Sequence, residues 1–183
     1  DGVELKQALH VEPGPMKPAL AAHFAAQAAI GLAYAQSKKD SKGRTLNFVH
    51  RDIAPDNVMV DVEGHVKVVD FGIARMLDTE VTTQTGLRKG KLRYMAREYL
   101  RDHVFDASTD VYALGCTLYE LVTGARPFHG FTNQMALMEE ILMRELPRAS
   151  ELRPSLPKEL VEIIFDATRA LPKKRIQNAA ELA

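Results

Sequence analysis

Apolar and polar residues change rhythm along this chain, and the changes separate one short strand-like stretch from several helical ones. From Pro18 to Ser37, the apolar Leu20, Phe24, Ile30, Leu32 and Tyr34 stand on an alanine-rich background, which predicts a long, largely buried helix. Val58-Met59-Val60-Asp61-Val62-Glu63-Gly64-His65-Val66-Lys67-Val68-Val69 reads instead as two short strands around a Glu-Gly turn. Further on, Val111, Leu114, Leu118, Leu121 and Val122 recur at helical spacing. Ser108-Thr109-Asp110 offers N-cap residues ahead of them, and Gly124 followed by Pro127 closes the helix. Asn133 to Arg144 and Pro157 to Ala170 predict two more amphipathic helices, with Pro157 suited to a first turn. Leu5 to His10 predicts a short helix ended by Pro13, Pro15 and Pro18. Residues 40–44 and 75–95 lack periodicity and read as polar loops. The expected fold class is mainly α with a small β-hairpin, without internal repeats.

Composition narrows the picture modestly. With 183 residues, 46% of them hydrophobic, the chain can bury one sizeable core. Lys+Arg 24 against Asp+Glu 24 leaves no net field, so neither nucleic acid nor an anionic membrane is an expected partner. The single Cys116 excludes an internal disulfide and suits a reducing, cytoplasmic setting, although a parent chain could still be tethered to a membrane. Cys116 falls within an apolar helix, where a buried structural thiol is the expectation. The most apolar stretch, Ala19 to Ala35, contains His23 and Gln27 and is too short and polar to span a bilayer.

Candidate chemistry concentrates around the hairpin. His50-Arg51-Asp52-Ile53-Ala54-Pro55-Asp56-Asn57 precedes it, and Asp70-Phe71-Gly72 follows it. A hairpin between them would bring Asp52, Asn57 and Asp70 together at one end. Two carboxylates and an amide there offer the hard oxygen donors that Mg²⁺ prefers beside substrate phosphates.

These segments are the His-Arg-Asp-x-x-x-x-Asn and Asp-Phe-Gly pair of protein kinases, and the chain resembles the large lobe of a bacterial, eukaryotic-type serine/threonine protein kinase. Tyr94-Met95-Ala96-Arg97-Glu98 stands where the family has Tyr-Met-Ala-Pro-Glu, and Asp110-Val111-Tyr112-Ala113-Leu114-Gly115 matches the start of its buried helix. The resemblance implies a protein-kinase-like fold acting on ATP, Mg²⁺ and a protein Ser/Thr hydroxyl. It implies Asp52 as catalytic base, Asn57 and Asp70 as metal ligands, and Met59 at the adenine face, although Met59 reads equally as a core residue. Arg51 is implied to pair with a phosphate on Thr83 or Thr85, unless that loop is simply solvated. His50, Phe71 and Gly72 are implied structural, as are Asp110, bonded to the His-Arg-Asp backbone, and Glu98, ion-paired with Arg175.

No Gly-rich phosphate loop and no Val-Ala-Ile-Lys-like strand precedes His50. Residues 1–183 are therefore expected to be one lobe, starting just past the inter-lobe hinge, ending within the last helix, and partnered by a small lobe of the same parent chain. Three departures qualify the resemblance. The family's Lys two residues after the catalytic Asp is Ala54, its Gly-Thr is Gly90-Lys91, and the Pro before Glu98 is Arg97, with the loss of a rigid turn. The first two together suggest that Lys91 reaches back toward Asp52 and supplies the missing charge; the alternative is that it faces solvent or the peptide substrate. A pseudokinase-like protein-binding module is the competing function. A small-molecule kinase of the aminoglycoside or choline type is disfavoured by Arg51, Phe71-Gly72 and Glu98.

Overall fold

The computed structural model describes residues 2–11, 14–46, 48–71 and 90–183. Strand β1, Gly2–Glu4, runs directly into helix α1, Leu5–Val11. Helix α2, Pro18–Gln36, starts with proline at its first position, where a missing N–H costs nothing. Strands β2, Val58–Asp61, and β3, Val66–Val68, form the expected hairpin. Asp61 closes its turn by accepting the backbone N–H groups of Glu63 and His65. After residue 90 follow α3, Arg97–Asp102; α4, Ala107–Thr123; α5, Gln134–Met143; α6, Ala149–Leu152; α7, Lys158–Ala167; and α8, Ala179–Leu182.

Helix α4 is the axis of the lobe, buried at every residue from Ser108 to Val122. Gly115 lets α7 approach it closely: a Cβ there would lie 2.8 Å from the Ala167 Cβ and 2.9 Å from Thr168 Cγ2. The start of α4 lies earlier than the sequence suggests. Asp106, not the Ser108-Thr109-Asp110 run, is the N-cap: its carboxylate accepts the N–H groups of Ser108 and Thr109, and Thr109 Oγ1 accepts the Asp106 N–H. That arrangement releases Asp110 for another task. Gly124 closes the helix at φ 71°, a left-handed conformation that glycine adopts without strain.

Two further expectations need correction. Helix α2 buries Ala21, Phe24, Ala25, Ala28, Ala29 and Leu32, while Leu20, Ile30 and Tyr34 are exposed. Its small residues form the packed face because they let it approach α4 and α8. Helix α7 ends at Ala167, with Thr168 as its C-cap donating its hydroxyl to the Ile164 carbonyl; Pro157 is its N-cap, and Arg169-Ala170 lies outside. The hairpin is also part of a larger sheet, because β1 pairs antiparallel with β2 and gives the order β1-β2-β3.

Candidate active site

Two short irregular segments, held by the axis helix, position the candidate residues. His50 and Arg51 precede the 3-10 turn Pro55–Asn57, and Asp110 at the start of α4 clamps them. Its Oδ2 accepts the His50 N–H at 2.8 Å, and its Oδ1 accepts the Arg51 N–H at 2.9 Å. Those two bonds hold Arg51 at φ 69°, a conformation costly for a non-glycine residue. Burial pushes the Asp110 carboxyl up to about 6, against the pull of the two N–H donors.

His50 is fully buried. Its Nδ1 accepts the Asp52 N–H at 3.3 Å, so its proton sits on Nε2, which meets the Val69 carbonyl at 3.1 Å. Burial lowers its pKa and keeps it neutral. The ring packs on Phe71 at 4.6 Å, and Phe71 meets Phe48 edge-on at 5.1 Å. His50 thus ties the segment before the hairpin to the segment after it.

The hairpin closes the geometry. Asn57 Nδ2 donates to the Asp52 carbonyl at 2.6 Å and to Asp52 Oδ2 at 2.9 Å. The Val69 N–H donates to the Asn57 carbonyl at 3.0 Å, and Asp70 is the residue after Val69, at φ 56° and exposed. Met59, half-buried, alternates with the buried Val58 and Val60 and pairs in register with Lys67. Asp52, Asn57 and Asp70 therefore come from three adjoining backbone segments.

Lys91 enters from a different direction. It opens a 3-10 turn, Lys91–Tyr94, behind Gly90 at φ 110°. Its ammonium lies 2.6 Å from Asp52 Oδ2 and 4.0 Å from Asp56 Oδ1, and the side chain is only 6% exposed. It faces neither solvent nor open surface. Ala54 is buried in the hydrophobic core.

The remaining predicted positions are structural in their contacts. Glu98 and Arg175 form a buried ion pair, Nη1 to Oε1 at 2.6 Å, and Arg175 also donates to the Ser108 carbonyl. The expected loss of a rigid turn at Arg97 is offset: Arg97 Nε donates to the Ile141 carbonyl and Nη2 to that of Arg144, tying α3 to the end of α5. The Arg51 guanidinium stacks on Phe105, 3.5 Å from the ring centroid. Thr83, Thr85 and Gly72 lie outside the described residues. Sequence reasoning did not single out Phe105, and gave Asp56 no role; nothing in their spacing marks them, since both act through contacts distant in sequence.

A His-Arg-Asp segment clamped by the buried Asp110 thus leads into a hairpin that is followed by Asp70. The chain belongs to the protein kinase domain family, which it matches over residues 1–183. It is similar to the tyrosine-protein kinase MasK of Myxococcus xanthus, with 43% identity over 156 residues, or 85% of this chain and 24% of that protein. It is also similar to the serine/threonine-protein kinase PknB of Mycobacterium leprae, 33% identical over 183 residues, 100% of this chain and 28% of that protein. With the serine/threonine-protein kinase PrkC of Bacillus subtilis it shares 33% over 182 residues, 100% of this chain and 26% of that protein. The chain spans about a quarter of the length of these bacterial relatives. Among the described residues, no helix is long and apolar enough to cross a membrane.

Proposed function

We propose that the parent chain is a serine/threonine protein kinase and that residues 1–183 are the large lobe of its catalytic domain, working with a small lobe supplied by the same chain. One observation carries this reading: Asn57 bonds both the carbonyl and the carboxylate of Asp52, while its own carbonyl bonds Val69, next to Asp70. A carboxylate so oriented can act as base beside a pair of oxygen ligands.

The donor set fits Mg²⁺. Both amide hydrogens of Asn57 go to Asp52, which leaves the amide oxygen as its metal-binding atom, and Asp70 adds a carboxylate; hard oxygen donors of this kind suit the ion. When bound, Mg²⁺ neutralises phosphate charge. Asp52 takes the proton of the protein hydroxyl as that oxygen bonds to the γ-phosphorus of ATP, while the bond to the β–γ bridging oxygen breaks and its electron pair leaves with ADP. Met59 contributes an apolar surface for adenine. His50 and Phe71 support the segments on either side of the hairpin, and Asp110 holds the first. The names of PknB and PrkC support the Ser/Thr preference. The buried Cys116, whose thiol burial pushes up to about 12, fits a structural thiol in a reducing cytoplasm.

The test is phosphoryl transfer from Mg²⁺-ATP by the full-length parent, with Asp52→Asn alongside. Wild type is expected to phosphorylate a protein substrate, and the variant to lose about 10²-fold or more. Equal rates would overturn the assignment of Asp52; nucleotide binding without transfer in wild type would favour a binding module. The name of MasK favours tyrosine as acceptor. Phosphoamino-acid analysis of the autophosphorylated parent separates the two acceptors.

A further inference from the structure

Position 54, where the family resemblance implies a lysine, holds an alanine that is 1% exposed within the hydrophobic core. A cation nevertheless stands at Asp52. The Lys91 ammonium lies 2.6 Å from its Oδ2, the same oxygen that accepts the Asn57 amide at 2.9 Å. We propose that Lys91 is a catalytic residue: anchored on Asp52, its ammonium contacts the transferring phosphoryl group and supplies there the positive charge that residue 54 does not. The inference deepens the kinase reading and rests on it.

Stability alone does not account for this ion pair. The two side chains are 6% and 17% exposed, and desolvation of such a pair consumes most or all of its Coulomb attraction. Two apolar side chains of similar volume would hold the lobe as well. The pair sits instead on the carboxylate assigned as base, where positive charge has a use.

The position is preorganised. Lys91 opens a short 3-10 turn whose Leu92 and Tyr94 are buried, and the Tyr94 hydroxyl donates to Glu120 on α4. The neighbouring Arg93 guanidinium donates to the Pro127 carbonyl at 2.8 Å and to that of Phe131 at 2.5 Å. The stem of Lys91 therefore starts from fixed backbone, so little reorganisation is needed as charge develops. An ammonium has three donors. One is committed to Asp52, and Asp56 Oδ1 stands 4.0 Å away with Lys6 beside it at 3.7 Å, so donor capacity remains for a phosphoryl oxygen. A lysine is a flexible point charge, which is why it can serve one phosphate from either of two backbone positions. Through the transfer step Lys91 keeps its proton and its charge; the hydroxyl proton goes to Asp52.

The experiment uses the full-length parent and three variants: Lys91→Met, Lys91→Arg, and the exchange Lys91→Thr with Ala54→Lys. Lys91→Met keeps the stem and removes the charge. Its turnover is expected to fall about 10²-fold with the KM for ATP nearly unchanged, and the exchange to recover at least about tenfold of that loss. Lys91→Arg is expected to keep more activity than Lys91→Met. Calorimetric binding provides a readout apart from turnover. Affinity for Mg²⁺-ADP with aluminium fluoride, a mimic of the transferring phosphoryl, should fall sharply in Lys91→Met, while affinity for Mg²⁺-ADP alone stays close to wild type. A merely structural lysine would weaken both complexes alike, and that result overturns the proposal. So does an active wild type whose Lys91→Met variant keeps its turnover. If Lys91→Met does not fold, the exchange variant decides: folded and active supports the assignment, folded and inactive overturns it. An inactive wild type would be a failure of the kinase reading itself, visible before any variant is compared.

Discussion

Arg175 meets Glu98 in a two-point ion pair, Nη1 to Oε1 at 2.6 Å and Nη2 to Oε2 at 3.1 Å, joining α3 to the segment before α8. The same guanidinium donates to the carbonyls of Ser108 and Arg169 and lies over the Tyr112 ring. All three nitrogens of the group donate, which is what makes its burial tolerable. Removing one partner strands the other. Glu98→Gln or Arg175→Met is expected to lower unfolding free energy by about 3–5 kcal/mol, and the double variant to recover part of it. Urea denaturation of the four proteins checks this; additive losses would show that the two residues act independently.

Arg97 does the work of a turn by a different route. Its guanidinium reaches the Ile141 and Arg144 carbonyls at 3.2 and 3.0 Å, at the C-terminal end of α5, where carbonyls lack helical partners and a cation meets the negative end of the helix dipole. Arg97→Ala is expected to cost about 1–2 kcal/mol, a figure held down by partial exposure. Arg97→Lys should not restore it, because an ammonium cannot span both carbonyls as the planar fork does. Thermal unfolding of both variants is the measurement. Full stability in Arg97→Ala would remove this strut from the account.

How much of this was readable beforehand follows from which interactions are local. The α4 axis, the α2 helix and the β2–β3 hairpin are written in short-range periodicity, and their existence could be read directly. Asp52, Asn57 and Asp70 are close in sequence, so the hairpin alone suffices to gather them. Strand β1 was not legible, because three residues carry no period and their pairing with β2 is long-range. Nor could periodicity choose the alanine face of α2 over its larger residues: that choice depends on how closely α4 and α8 approach. Phe105 under Arg51, and the two carbonyls held by Arg97, are tertiary contacts that leave no trace in spacing. The Lys91–Asp52 contact was inferable only because two departures from one pattern were considered together.

Asp110 makes a signed pH prediction. Its carboxyl is 1% exposed, and burial raises its pKa from 3.8 to about 6 despite the His50 and Arg51 N–H donors. The folded state therefore binds this proton more tightly than the unfolded chain. Between roughly pH 4 and 6, folding takes up a proton, so this group's contribution to stability is full below pH 4 and is lost as pH rises through 6. A shift of two units corresponds to about 3 kcal/mol over that window. His50, whose pKa burial lowers, works in the opposite sense, losing stability as pH falls below about 6.5. It is present in both proteins compared here and cancels to first order. The stability difference between wild type and Asp110→Asn should be largest near pH 4 and shrink toward pH 7. A difference that grows with pH would mean that the N–H donors outweigh burial.

In the full-length parent, Arg51 is expected to pair with a phosphate on Thr83 or Thr85, which lie outside the described residues. Its backbone is fixed by Asp110, and the face of its guanidinium lies on Phe105 at 3.5 Å. Stacking engages the face, whereas the N–H groups project in the guanidinium plane, the geometry with which arginine meets phosphate oxygens in two-point fashion. A phosphate on Thr83 or Thr85 is expected to meet that edge of the guanidinium. In the full-length parent, Thr83→Ala with Thr85→Ala is expected to lower kcat/KM at least about tenfold, on the scale of one or two charge-assisted bonds. Arg51→Ala should cause a similar loss. The decisive comparison is the triple variant. If phosphate and Arg51 act as one unit, removing all three costs little more than either change alone; multiplied losses would show that they act separately. Phosphopeptide mapping of the active wild type should find phosphate on at least one of the two threonines. An unphosphorylated loop in a fully active kinase would overturn this pairing.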